Sequence, residues 1–535
     1  MNIVLLWFLV VLIADVSGLL PVPTKTTVNK IGKGFEDLWN DNFDEILDKQ
    51  LKVQGIVPSY IDGILLRNGP GAFGSKDAKN YPRRYTHAFD GLAKLHKYDI
   101  SSNGIKFSMK FLRSKWHEAM IENQSDIPPS ITTGPTSPEF NSKENLIAAL
   151  TSSTLFDNVP VNLARLGGKH GKHIATTDAP VILEFDPKTL ETIGKVSYKN
   201  SITSINGIEL FSTAHPIVVD DVTFNYFLEL QIPLPFVNTG NKVHIVSTDI
   251  STNREIKFTY DIGDKVPYVH SFGMTNRYVI LTLWPLFMNP ANSVNGKGFL
   301  SQLEWKPQEM SKILIFDLKG SASQKPMVYD ASPLFAYHHI NAYEENDNII
   351  FDVTGYDTPE IINGPNGFAY LPNMFDEKNR KTQARDGNTY RFTIPTKSKY
   401  SNNEIIQPQK LETIDNDGQH YSNELLVINE NFRRKKYRYT YGFTGFAGEN
   451  SDYNYLEWAI IKTDNIKAAE GNKEASVLCW REENCYPNEC SFINDPSAKD
   501  NEEDKGTLLC QVYDGNRGES FLLGLDASTM KEVFR

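Results

Sequence analysis

The sequence has little cysteine, and beyond its first residues it has no long hydrophobic run. Only four cysteines occur among 535 residues, all between positions 479 and 510. An even number permits two disulfides with three connectivities, and the lack of a Cys-x-x-Cys pair argues against a structural zinc site. A membrane-spanning helix needs about 18 or more consecutive apolar residues, and none follows the N-terminus. The sequence therefore predicts neither a zinc-stabilised fold nor a transmembrane segment.

Basic residues are also fewer than acidic ones. Lys and Arg number 55 against 66 Asp and Glu, which gives a formal net charge of −11. Proteins that bind nucleic acid carry a basic patch or stripe, and this chain has no long basic run. We therefore expect no nucleic-acid partner.

What is present favours a soluble all-β protein. Hydrophobic residues make up 40% and charged residues 23% of the chain, proportions typical of a packed globular core. The 30 Phe, 24 Tyr and 28 Pro favour strands and turns over helices. A chain of 535 residues accommodates several ordinary domains or one large domain built from repeats.

Residues 1–18 have the pattern of a signal peptide. Ile3–Ile13 is an apolar run of suitable length, and Val16 and Gly18 provide small side chains ahead of a cleavage point. Because this segment has no Lys or Arg, a buried first strand or helix is the alternative. The pattern predicts entry into the secretory pathway, with the protein secreted or retained in the endoplasmic reticulum lumen.

Short apolar runs that end in a polar turn recur along the chain. Asp and Ser close such turns through hydrogen bonds to nearby backbone groups, and alternating strand patterns precede several of them. The seven turns fall at Asp99, Asp186, Asp249, Asp317, Ile394, Asp464 and Asp526. Seven units predict a seven-bladed β-propeller with helical and loop insertions capping one face. A pair of β-sandwiches with turns that are similar by chance is the alternative.

Histidines stand beside strands in three consecutive units. They are His215, His270 and the pair His338-His339. The innermost strands of a propeller converge on a central axis, so one histidine from each blade can reach a single metal ion. At each position the alternative is a core histidine whose hydrogen bonds are satisfied. Three similar placements in consecutive units favour the metal site.

Several segments resemble, in the same order, the carotenoid cleavage oxygenases, a family that includes the animal β-carotene oxygenases and the retinyl-ester isomerohydrolase of the retinal pigment epithelium. The matching segments are Leu66–Gly71, His87–Gly91, Thr213–Pro216, Val269–Gly273, Phe335–Glu345 and Phe521–Leu523. The resemblance covers residues 56–535, which we predict to form one propeller domain after an N-terminal extension at 19–55.

The resemblance implies an Fe(II) ion held by four histidines. By motif, His215 and His270 match two ligands, and the family spacing of histidine, two residues and asparagine selects His338 for the third. The choice of iron comes from the resemblance, because imidazole ligands also suit zinc and copper.

The resemblance also implies carboxylates behind the ligands. Such a carboxylate accepts the N–H of a ligating imidazole and so fixes the orientation of the ring. The matching positions are Asp178, Glu424 and Glu489. The family usually has Glu at the position of Asp178. A solvated surface acid is the alternative for each.

The end of the chain departs from the family pattern. Phe521–Asp526 resembles the segment that precedes the last family strand, which carries the fourth ligand, yet no histidine follows His420 and the chain stops at Arg535. We predict that the sequence is truncated before that strand. A member that lacks the ligand is the alternative.

The implied activity is oxidative cleavage of a conjugated C=C bond of a carotenoid or apocarotenoid. Its partners are an apolar polyene and O₂. The alternatives are a retinoid isomerohydrolase and an inactive propeller that binds apolar ligands. Trp284–Met288 and Phe299–Trp305 match the apolar rim around the substrate tunnel of the family, a placement compatible with peripheral membrane contact. Ordinary loops that connect blades are the alternative for both segments.

Overall fold

The described residues of the chain fold into seven antiparallel sheets of four or five strands, plus one two-stranded hairpin. This arrangement confirms the predicted seven-bladed β-propeller. The computed structural model describes residues 32–76, 84–101, 103–123, 157–232, 240–289, 299–321, 323–363, 370–374, 387–397, 404–445, 458–471 and 475–535.

The first three blades contain thirteen strands. Blade 1 consists of β1 (Ile46–Gln50), β2 (Gly63–Ala72), β3 (Leu92–Ser101) and β4 (Gly104–Phe111). Blade 2 consists of β5 (Asn162–Leu166), β6 (Lys172–Thr176), β7 (Ile182–Phe185) and β8 (Thr192–Lys195). Blade 3 consists of β9 (Gly207–Ser212), β10 (Ile217–Val219), β11 (Val222–Gln231), β12 (Asn241–Thr248) and β13 (Arg254–Gly263).

Blades 4 and 5 follow, with a hairpin inserted into blade 4. Blade 4 consists of β14 (Gly273–Met274), β15 (Tyr278–Leu283), β18 (Ser311–Asp317) and β19 (Met327–Ala331), and its hairpin of β16 (Leu286–Met288) and β17 (Leu303–Trp305). Blade 5 consists of β20 (Phe335–Glu345), β21 (Asn348–Tyr356), β22 (Asn388–Pro395) and β23 (Gln409–Lys410).

The last two blades have four strands each. Blade 6 consists of β24 (Glu424–Val427), β25 (Tyr439–Thr444), β26 (Ala459–Asp464) and β27 (Val477–Trp480). Blade 7 consists of β28 (Cys485–Asn494), β29 (Gly506–Asp514), β30 (Glu519–Asp526) and β31 (Glu532–Phe534). The further histidine-bearing strand expected beyond Arg535 stays a prediction.

The helical segments that the structure describes are all short. The α-helices are Lys115–His117, Glu360–Asn363, Leu371–Met374 and Asn465–Glu470, and Glu118–Glu122 is a π-helical turn. The 3₁₀ helices are Phe35–Trp39, Ala88–Asp90, Phe299–Gln302 and Glu430–Phe432. None of the described helices is long and apolar enough to cross a membrane.

The first strands of neighbouring blades contact each other around the propeller axis, as β14 does with β20 and β24 with β28. Strands that lie farther from the axis within a blade are covered on both faces by the neighbouring blades. All six residues of β15 are buried, for example, which is why such a strand is a continuous apolar run rather than an alternating one. The core therefore lies between blades and leaves the axis lined by the first strands.

The predicted turns connect the last two strands in six of the seven blades. In five of these the Asp carboxylate accepts hydrogen bonds from backbone N–H groups two or three residues later; these are Asp186, Asp249, Asp317, Asp464 and Asp526. The turn after Ile394 lies at the end of β22. Asp99 differs, because it lies inside β3, the second strand of blade 1.

Blade 1 takes its outer strand from the predicted N-terminal extension. Residues 46–50 form β1, which pairs with β4, so part of the segment 19–55 belongs to the propeller. Gln54 and Arg535 exchange backbone hydrogen bonds of 2.8 and 2.9 Å, and Gly55 forms a β-bridge with Phe534. This pairing joins blade 1 to blade 7.

One of the two disulfides that the sequence permits is present. Of the four cysteines, Cys490 and Cys510 form a disulfide between β28 and β29, whereas Cys479 and Cys485 are free thiols.

The segments matched to an apolar rim form the β16–β17 hairpin, in which Leu286 is buried. Membrane contact stays a prediction.

Candidate metal centre

Three histidines from three consecutive blades meet at the propeller axis. His215 lies between β9 and β10, His270 precedes β14, and His338 lies in β20. One ring nitrogen from each lies within 4.8 Å of the others. The Nε2 atoms of His215 and His270 are 2.9 Å apart. Among the described residues, this is the cluster whose side chains could hold a metal ion.

The alternation of side chains along β20 separates the two members of the histidine pair. The pairing of β20 with β21 shifts register on both sides of His338 and His339. Successive side chains of a strand point to opposite faces, so the two rings separate. His338 joins the cluster, whereas His339 packs on Phe351 and lies 3.0 Å from Ser271 Oγ through its Nδ1. Burial lowers the pKa of His339 to about 3.

Asp178 fixes the orientation of His270. It lies between β6 and β7 in blade 2, and its Oδ2 is 2.8 Å from His270 Nδ1. The hydroxyl of Tyr268 donates to the same oxygen at 2.7 Å. Because Nδ1 faces the carboxylate, the Nε2 of His270 faces the axis. The shorter Asp side chain reaches its histidine directly.

Glu424 plays the corresponding part for His338. Its Oε2 is 2.8 Å from His338 Nδ1 and accepts the backbone N–H of Leu425 at 2.7 Å, while the hydroxyl of Tyr356 donates to Oε1. Leu425 has a φ of 50°, a left-handed conformation that costs a non-glycine residue roughly 1–3 kcal/mol and often occurs at functional sites. The local backbone distortion aims the carboxylate at the ring.

Glu424 and His338 each stabilise the charged form of the other. Burial lowers the pKa of His338, but the charge of Glu424 and its hydrogen bond outweigh burial, so the pKa is raised. Burial raises the pKa of Glu424, but the charge and hydrogen bond of His338 outweigh it, so this pKa is lowered. The Glu424 carboxyl is therefore held ionised against the ring.

His215 has an amide neighbour instead of a carboxylate. The side-chain nitrogen of Asn162 lies 3.3 Å from His215 Nδ1 and donates to the carbonyl of Ala214 at 3.1 Å. Burial, followed by the neighbouring His270 and His338, lowers the pKa of His215 well below its ordinary value. The ring is therefore neutral, as metal ligation requires.

Glu489 does not share the arrangement of the other two acids. It lies in β28, its carboxylate is 3.2 Å from the Arg67 guanidinium, and its side chain is 38% exposed. The three predicted acids thus divide into two that bond the histidines and one that pairs with an arginine.

Three residues at the site were missed by sequence reasoning. Tyr268 and Tyr356 donate to the two carboxylates, and Asn162 contacts His215. Tyr268 stands two residues before His270, on the same face of an extended segment, and this spacing could have indicated it. No comparable local signal marks Tyr356 or Asn162, which come from other blades or strands.

The arrangement suits a metal with nitrogen ligands. Neutral imidazoles whose second nitrogen is held by a carboxylate are the usual ligands of transition metals in proteins. Burial lowers the pKa of His215 well below its ordinary value, which favours the neutral ring that can bind a cation through Nε2. The residues present therefore fit a metal ion at the axis.

Comparison with known proteins gives relatives along nearly the whole chain. The family model described as retinal pigment epithelial membrane protein matches residues 39–535. The β,β-carotene 15,15'-dioxygenase of Gallus gallus is 27% identical, with 94% of this chain and 95% of the relative covered. The carotenoid-cleaving dioxygenase, mitochondrial, of Homo sapiens is 28% identical, with 90% and 85% covered.

Solved structures support the same fold. The cobalt-substituted Synechocystis ACO superposes with a TM-score of 0.70 at 20% identity and covers 93% of this chain and 94% of its own. A variant of Synechocystis apocarotenoid oxygenase gives a TM-score of 0.71 at 19% identity, with 94% and 96% covered.

The predicted secretory route is wrong. Relatives from Homo sapiens and Mustela putorius furo are named as mitochondrial proteins, which contradicts secretion or retention in the endoplasmic reticulum. The apolar pattern of residues 1–18 misled the prediction because it has the length of a signal peptide but none of its basic residues. That segment lies outside the described residues. The match over residues 39–535 shows that the chain belongs to the retinal pigment epithelial membrane protein family, to which the carotenoid oxygenases also belong.

Proposed function

We propose that this protein is a non-haem Fe(II) dioxygenase that cleaves a conjugated C=C bond of a carotenoid or apocarotenoid into two carbonyl products. The observation that carries the proposal is the convergence of His215, His270 and His338 at the propeller axis. The curated relatives named as β-carotene and carotenoid-cleaving dioxygenases indicate the substrate class.

The spacing of two ring nitrogens is short enough for both to bind one metal ion. Two nitrogens about 2.1 Å from a metal are about 3.0 Å apart at a right angle and about 3.4 Å apart at the tetrahedral angle. The observed separation between His215 and His270 is 2.9 Å. Three histidine ligands would leave open positions on a bound metal ion, as in the centres that non-haem Fe(II) oxygenases use.

The residues behind the ligands hold protons in place. Asp178 and Glu424 keep a proton on Nδ1 of His270 and His338, so each Nε2 presents its lone pair to the axis. Fe(II), when bound there, would supply the activation of O₂ beside the double bond. The protein supplies the orientation of the ligands and the surroundings of the reaction.

Aromatic side chains pack against two of the histidines. Tyr337 packs edge-on against His270 and stacks on His338, with ring centroids 5.1 and 5.8 Å apart. Phe335 is fully buried behind it. Aromatic packing of this kind limits the access of water and suits an apolar polyene.

The test is turnover of β-carotene by the purified protein in ¹⁸O₂ and under nitrogen. We expect labelled aldehyde or ketone products that require O₂, loss of activity and iron in His338→Ala, and retention of both in His420→Ala, whose ring is 42% exposed. Turnover of a retinyl ester under nitrogen would instead indicate an isomerohydrolase. Binding of the polyene without any product would indicate an inactive ligand-binding propeller.

A further inference from the structure

Buried hydroxyls of one blade hold the histidine segment of the next. Thr176, at the end of β6 in blade 2, donates through Oγ1 to the carbonyl of Ala214 at 2.7 Å, next to His215. Thr213 in blade 3 donates to the carbonyl of His270 in blade 4. The same Thr213 oxygen accepts the backbone N–H of His215 at 2.8 Å. One hydroxyl thus joins the backbones of two of the histidines.

Ser271 repeats the pattern between blades 4 and 5. Its Oγ donates to the carbonyl of Tyr337 at 2.6 Å, next to His338, and accepts the backbone N–H of His339 at 2.9 Å. His339 Nδ1 also lies 3.0 Å from this oxygen. Since the hydroxyl proton is directed to Tyr337, the ring nitrogen acts as donor. Ser271 therefore ties the His270 segment to the β20 bulge.

We propose that Thr176, Thr213 and Ser271 are positioning residues of the metal centre. The three residues are 1%, 1% and 4% exposed, so water does not compete with their hydroxyls for hydrogen-bond partners. Each fixes the main chain of the following blade beside one histidine, and together they set the distances among the three Nε2 atoms. This inference rests on the proposed function, because it takes the three histidines as metal ligands.

The need for such bonds follows from the way the site is built. The ligands come from three separate sheets, and a metal centre tolerates only small errors in the placement of its ligands. The carboxylates fix rotation of two rings about their own bonds, but they do not fix the distance between the backbones. Hydroxyls that span neighbouring blades supply that second constraint.

The test compares the Thr213→Val variant with a matched control. Thr463→Val makes the same substitution in β26, where the threonine is fully buried and its hydroxyl has no hydrogen-bond partner among the described residues. Release of iron to a ferrous chelator, kcat and KM for β-carotene, and the visible spectrum of the cobalt-loaded protein are measured for both. Thr213→Ser, which keeps the hydroxyl, is the rescue variant.

We expect Thr213→Val to release iron about tenfold faster or more, the range found when partners of metal ligands are removed. Its kcat falls with little change in KM, and its cobalt spectrum shifts. Thr463→Val and Thr213→Ser behave as the unaltered protein. Release from Thr213→Val as slow as that from Thr463→Val would overturn the proposal. If Thr213→Val does not fold, Ser271→Ala decides by the same comparison. An unaltered protein that holds no iron would instead refute the proposed function.

Discussion

Replacing Glu424 by glutamine separates the charge of the buried acid from its hydrogen bonds. The carboxylate receives three donors, namely His338 Nδ1 at 2.8 Å, the Leu425 N–H at 2.7 Å and the Tyr356 hydroxyl. A glutamine can turn its oxygen to the first two and its NH₂ group to the tyrosine oxygen. Glu424→Gln therefore keeps the bonds and loses the negative charge.

The expected magnitude follows from this geometry. Removing a charged partner of a metal ligand usually costs about 10–100-fold in metal affinity, so we expect the dissociation constant for iron to rise by that factor. Glu424→Ala, by contrast, leaves three buried donors without an acceptor at roughly 1–3 kcal/mol each. Several such losses approach a typical domain stability of about 5–15 kcal/mol, and we expect this variant to fold poorly.

The assay is competition for Fe(II) between the protein and a chelator of known affinity, with circular dichroism to establish folding. The matched control is Glu255→Gln, because that carboxylate pairs with Lys257 on the outer strand of blade 3 and is exposed. An exposed ion pair contributes only about 0–1 kcal/mol, so iron affinity should not change. An equal loss of iron affinity in the two variants, or no loss in Glu424→Gln, would refute the reasoning from this geometry.

Three further predictions concern stability. The pKa of Glu424 is lowered in the folded protein, so its ionised carboxylate stabilises the fold above its ordinary pKa of about 4.5, and this stability is lost as pH falls through the lower folded value. Urea unfolding of the metal-free protein between about pH 3 and 6 should show this loss of unfolding free energy. Glu424→Gln should lack it. Gly55→Ala should destabilise the protein more than Gly418→Ala: both positions have positive φ, which carries strain of about 1–3 kcal/mol, but only at Gly55 would the added Cβ meet backbone, 2.2 Å from the Val533 carbonyl. Equal melting temperatures for the two would contradict this. Replacing Cys490 and Cys510 together by alanine should lower the unfolding free energy by about 3 kcal/mol, because the disulfide closes a loop of 20 residues; an unchanged denaturation midpoint would count against it.

The blade count could be predicted because turn chemistry is local. An aspartate that caps a turn acts on N–H groups two or three residues away, so the signal is contained in a few letters of sequence. The exception at Asp99 has a long-range cause. Blade 1 takes its fourth strand from residues that precede the blade, and this shifts the turn from the third strand to the second. No local pattern encodes such a pairing.

The site was predicted in part for a similar reason. Sequence motifs indicated His215, His270 and His338, and the structure brings these three side chains together while His339 packs on Phe351. The partners of the carboxylates depend on how blades pack against each other. Glu489 therefore pairs with Arg67 from blade 1, which the motif did not indicate.

The central claim is that three histidines from consecutive blades hold one iron ion, and anomalous diffraction at the iron edge from crystals of the iron-loaded protein tests it most directly. The account predicts a single strong peak on the propeller axis, about 2.0–2.3 Å from the Nε2 atoms of His215, His270 and His338. A peak bound by His339 or by Glu489, or an iron-loaded protein with no peak among the three rings, would contradict it.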